Sequence, residues 1–154
     1  MYAILLLLHS LFRWMVLASL LSSIYVALNG YYGQRQFTAA ADKFRHWTAT
    51  MAHIQFMLGM GLYFLSPVVK AAGTAFSDGW AHDQTFFFRY MHAALMLVVV
   101  TVVTIGSAKA KRMETDRQKF RTMLRWFVAA LVILFLAVPW PFSPLVARPY
   151  YRLF

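Results

Sequence analysis

The chain has no cysteine, and only five of its 154 residues are acidic. The first absence excludes disulfides, thiolate metal sites, cysteine-held iron–sulfur clusters and haem attached through a C-x-x-C-H motif. Any metal or cofactor must be held by His, Met or oxygen. The scarce carboxylates also avoid all four of the chain's long apolar runs, so an acidic proton relay has no residues to use there. G-x-S-x-G and H-E-x-x-H are missing, and no Lys or Thr follows Met57–Gly61 at Walker spacing, which removes the common hydrolytic and phosphate-binding motifs. No segment repeats or is of low complexity.

What is present is apolar. The composition is 61% hydrophobic, 18% aromatic and 13% charged, against roughly 45–50% apolar and about 25% charged in soluble domains. Four runs, Tyr2–Leu28, His46–Ser66, Phe86–Ala108 and Thr122–Val138, approach or exceed the ~20 residues needed to cross about 30 Å of hydrocarbon. Asn29-Gly30, Ser66-Pro67 with Gly73–Asp83, and Lys109–Arg121 separate them. The expected fold is all-α: a single integral membrane domain over 1–154, built as a four-helix up-down-up-down bundle. The first run lacks a basic start and a small-residue cleavage site, and is read as a mature helix. Thr38 before Ala39-Ala40-Ala41 is a candidate N-cap that would lengthen the second helix. Pro139, Pro141 and Pro144 predict an extended cap on the outer surface.

A net charge of +10 would suggest nucleic acid on a soluble fold. Here the basic residues fall in the connections. Lys109, Lys111, Arg112, Arg117, Lys119, Arg121 and Arg125 surround the third gap, and Arg35, Lys43 and Arg45 the first, while the second holds only Lys70 and Arg89. The positive-inside rule predicts a bacterial inner membrane protein with both termini periplasmic, despite Arg148 and Arg152 in the tail. The basic excess then meets anionic lipid, and nucleic acid is not an expected partner.

The ionisable residues well inside the runs, away from the charged connections, are His9, Arg13, His53 and His92, with His46 at the inner edge and His82 in the outer loop. Such groups usually face a bundle interior and mark a site. Arg13 stays charged and needs a counter-charge from a lipid headgroup, backbone carbonyls or an anionic ligand, unless it snorkels to the surface. His9 and Arg13 are four apart and Arg89 and His92 three apart, so each pair shares a helix face. Counting inward from the outer side puts His9 and His92 at similar depths. That suits a six-coordinate haem with Arg13 and Arg89 on its propionates, or two packing histidines bonded to neighbouring carbonyls or hydroxyls. His53 lies nearer the midplane and cannot sandwich one iron with His46, roughly 10 Å away along the same helix. A tilted second helix would bring His53 level with the others, as a quinone contact or a third imidazole of a copper or zinc site.

His9-Ser10-x-x-Arg13, Ala52-His53-Ile54-Gln55 with Gly59 and Ser66-Pro67, His92 with Thr104-x-Gly106, and Pro139-Trp140-Pro141-Phe142 together resemble a group of small bacterial four-helix membrane proteins labelled cytochrome b. The resemblance spans nearly the whole chain in short pieces. It implies b-type haem, membrane electron transfer and functional roles for His9, His53 and His92.

The resulting expectation is a b-type cytochrome passing electrons between the quinone pool and a respiratory-chain protein partner. His9 and His92 would be axial ligands, His53 a third ligand or quinone contact, and Arg13 and Arg89 propionate partners. The alternatives are a copper, zinc or quinone site on the same histidines without haem, and a non-catalytic subunit of a larger respiratory complex.

Overall fold

A computed structural model of the chain describes residues 1–71 and 84–138. His82, the proline-rich cap and the two tail arginines lie outside the described residues. Within them the protein is helical, with no strand: α1 (Tyr2–Tyr32), α2 (Ala39–Leu65), the short α3 (Pro67–Ala71) and α4 (Gln84–Phe86), a π-helical turn (Phe87–His92), α5 (Ala93–Arg112) and α6 (Asp116–Ala137). Three stretches, Tyr2–Tyr32, Phe87–Arg112 and Asp116–Ala137, are long and apolar enough to cross a membrane. The 27-residue α2 is as long but dilutes its apolar residues with His46, Thr48, Thr50, His53 and Gln55.

Local chemistry sets the ends of these helices. Thr38 caps α2 as its sequence suggests, accepting a hydrogen bond from the Ala41 amide, so the helix begins seven residues before the apolar run does. Ser66 ends it, and Pro67 opens α3, where a missing N–H costs nothing. Thr115 and Gln118 form a capping box, so α6 begins six residues before its apolar run. α1 and α5 likewise run four residues beyond their apolar limits, to Tyr32 and Arg112. Polar helix ends are invisible to a hydropathy reading because backbone hydrogen bonding, rather than burial, sustains them.

The four long helices contact one another in a ring: α1 with α2, α2 with α5, α5 with α6, and α6 with α1. Small residues line much of this interior. Ala27, Ala52, Ala110, Ala130 and Ala137 are buried, with Leu20, Phe120, Met123, Phe127 and Leu134 filling the remaining space. Gly106 faces Trp126 so closely that a Cβ there would overlap the tryptophan side chain, which is what lets α5 and α6 pack tightly. The outside is apolar too: Ile4, Met57, Phe64, Val132 and Leu136 are exposed.

Hydroxyls join α1 to α2. Ser23 Oγ lies 3.0 Å from the Phe44 carbonyl, Thr48 Oγ1 lies 3.0 Å from the Ser19 carbonyl, and the two hydroxyls hydrogen-bond each other at 2.7 Å, one of them donating. Arg45 does the same between α2 and α5. The sequence counts it with the basic connection, yet only 5% of it is exposed. Its Nε bonds the Asp42 carboxylate at 2.8 Å, and its Nη1 bonds the Ser107 hydroxyl and carbonyl at 2.6 and 3.2 Å. The guanidinium donating to Asp42 holds that carboxyl below its ordinary range.

Candidate functional site

His9 comes from α1 and His92 from the last residue of the π-helical turn, and their ring centroids lie 6.5 Å apart with planes at 76°. A π-turn adds a residue per turn and re-aims the side chains that follow, a local change often found at functional sites. The Phe87–His92 sequence gives no periodicity that would reveal it.

Each ring is held from a further helix. His92 Nδ1 lies 2.9 Å from the carbonyl of Ala137, the last residue of α6. A carbonyl in that last turn has no intrahelical partner, so Nδ1–H donates to it and Nε2 is the nitrogen left to bind. Phe87 and Phe88 pack on the same ring with centroids 5.9 and 5.8 Å away. His9 is reached from α2, where Gln55 Nε2 donates to its carbonyl at 3.0 Å and approaches its Nε2 at 3.4 Å. Gly59 makes room, since a Cβ there would stand 3.2 Å from His9 Cε1. The site therefore draws on all four long helices, counting the π-turn with the helix it leads into.

Two buried polar atoms in it have no hydrogen-bond partner among the described residues: His9 Nδ1 and Gln55 Oε1. Buried groups of this kind are rare and need a reason, such as a missing ligand. Beside them lies a cavity of about 180 Å³, lined by His9, Gln55 and His92 and walled by apolar side chains including Phe56, Phe88 and Met96.

The arginines differ in placement. Arg13 interacts electrostatically with both imidazoles, and its guanidinium lies 5.3 Å from the Trp14 ring centroid. Arg89 turns toward the connection, with Nη1 3.4 Å from the Val69 carbonyl and the guanidinium 5.6 Å from the Tyr90 ring centroid. His53 is not with the other two histidines. It is exposed, does not line the cavity, and its Nε2 contacts Thr104 Oγ1 on α5 at 3.0 Å. Among the described residues no three His, Asp or Glu side chains gather in metal-binding proximity, so the three-imidazole arrangement is not assembled.

Sequence reasoning gave no role to Gln55, the only side-chain amide in the four runs other than those in their connections. That isolation was an available signal, because an amide in an apolar helix needs partners. No protein-family model, curated protein or solved structure matches the chain.

Proposed function

We propose that this is an integral protein of the bacterial inner membrane, a four-helix up-down-up-down bundle in which His9 and His92 hold a b-type haem. In this reading it passes electrons between the quinone pool and a partner redox protein. The apolar exterior supports the membrane assignment, and the basic connections support placing both termini in the periplasm. Contacts at Ser23–Thr48 and His9–Gln55, and likewise at Arg45–Ser107 and His53–Thr104, fit neighbouring helices running in opposite directions.

One observation carries the haem assignment. Imidazoles bound on opposite sides of one metal, through bonds of about 2.0–2.1 Å, have centroids roughly 6–6.5 Å apart, and His9 and His92 are separated by 6.5 Å. The donor set fits in other respects. The Ala137 carbonyl fixes His92 as outer-shell partners of metal-bound histidines do, His9 Nδ1 lacks a partner, and Arg13 supplies positive charge for propionates. A bound haem would supply reversible one-electron chemistry. The chain's part is to hold two ligands from separate helices, surround them with apolar walls, and place a cation beside them. The cavity has the scale of a single ring and is smaller than a porphyrin.

That volume favours a second reading. A cavity of about 150 Å³ accommodates a benzene-sized group, and one of about 180 Å³ beside the unsatisfied His9 Nδ1 and Gln55 Oε1 suits a quinone headgroup in its reduced form, whose phenolic O–H can donate to Oε1, without haem. Absorption spectroscopy and quinone extraction on protein purified from haem-replete cells separate the two. A Soret band that shifts on dithionite reduction supports haem, whereas bound quinone without a Soret band supports the second reading.

A further inference from the structure

A second polar group lies outside the cavity, near the middle of α2 and α5. Thr104 Oγ1 donates its single hydrogen to the Val100 carbonyl at 2.6 Å, so in its 3.0 Å contact with His53 Nε2 it can only accept. Nε2 therefore carries the hydrogen in the tautomer that makes this contact, which leaves Nδ1 as the acceptor. Nδ1 has no hydrogen-bond partner among the described residues. One helical turn earlier, Thr101 Oγ1 donates to the Leu97 carbonyl at 2.8 Å and likewise has only lone pairs to offer. His53, Thr101 and Thr104 are all exposed, among exposed Ile54, Met57, Leu97 and Ile105.

This face is apolar, and among the described residues its polar side chains present acceptors and no free donor. If α2 and α5 lie in a bilayer, the acceptors sit at a depth that water and lipid headgroups do not readily reach, where an unsatisfied polar group is costly. A ligand that relieves the cost must dissolve in hydrocarbon and bring its own hydrogen. We propose that this face binds the reduced, hydroquinone form of a bilayer quinone, with a phenolic O–H donating to His53 Nδ1 and the ring lying on the flanking aliphatic side chains. An oxidised quinone has only carbonyl oxygens and would set acceptor against acceptor. The site therefore discriminates between redox states of one ligand. The proposal rests on the membrane reading of α2 and α5 and is independent of what His9 and His92 hold.

The test uses the full chain in phospholipid nanodiscs, titrated separately with a short-chain benzoquinol and the matching benzoquinone, with bound ligand quantified directly. Retention of the protein in alkali-washed membranes checks the membrane premise on its own. Wild type is expected to bind the quinol about tenfold more tightly than the quinone, the size of one net hydrogen bond. His53→Phe should abolish the preference. Thr104→Val releases the imidazole to place its hydrogen on Nδ1, so quinone binding should rise and the preference should shrink or reverse. Equal wild-type affinity for both forms overturns the proposal, and that comparison needs no variant. A preference that survives in His53→Phe also overturns it, as does a dimer that covers this face, blocks quinol binding and dissociates in His53→Phe.

Discussion

His9 and His92 stand edge to face with 6.5 Å between ring centroids, although 83 positions of sequence separate them. Neither ring is placed by its own helix alone. Gln55 of α2 fastens the His9 backbone, and the last carbonyl of α6 fastens His92. Contacts of this kind from rigid elements fix the two imidazoles relative to one another.

The same interior depends on a buried cation. Replacing Arg45 with Ala removes its bonds to Asp42 and Ser107 and is expected to cost about 1.5–3 kcal/mol, the range for hydrogen bonds to charged groups. Thermal unfolding in detergent measures it. Arg45→Lys should recover only part of the loss, because an ammonium cannot reproduce the guanidinium fork. The pH dependence has a definite sign. Asp42's carboxyl is held below its ordinary value of 3.8, so its contribution is complete above that pH and is lost as pH falls through the depressed value. Asp42→Asn should flatten the stability profile in that acid window and leave its shape at neutral pH unchanged.

A tight helix crossing gives a second expectation. Gly106→Leu would drive a side chain into Trp126 and should destabilise the protein by about 1–3 kcal/mol, as overpacking does. Enlarging the exposed Ala94 in the same way should cost far less. Paired melting curves of the two variants check the contrast.

Much of this was legible in the sequence, for reasons that follow from solvent. Hydrocarbon demands long apolar runs, and the run containing His9 and Arg13 and the one containing His92 both appear as helices. The Thr38 cap was readable because an N-cap is a local hydrogen bond. The π-turn was not, since a one-residue change in helical winding leaves no mark in composition. Arg45 was misread for a related reason. Its position near a basic connection suggested solvent or lipid headgroups, whereas Asp42 and Ser107 allow it to be buried. A tilted second helix would bring His53 level with His9 and His92, but depth fixes height along a bundle and not direction around a helix. Its ring turns to Thr104.

Topology can be tested cleanly because the chain has no cysteine of its own. A single Cys introduced at exposed Glu114, in the basic connection between α5 and α6, should resist an impermeant maleimide in intact spheroplasts and react after lysis. One introduced at exposed Met1 should react in both. The reverse pattern would invert the proposed orientation.

The most direct measurement is the absorption spectrum of the purified protein, oxidised and dithionite-reduced, for wild type, His9→Ala and His92→Ala. The account predicts a six-coordinate b-type spectrum in wild type, lost or converted to a five-coordinate form in each variant whose fold is intact by circular dichroism. A wild type without a Soret band, or a six-coordinate spectrum unchanged in both variants, would contradict the claim that these two imidazoles hold a haem.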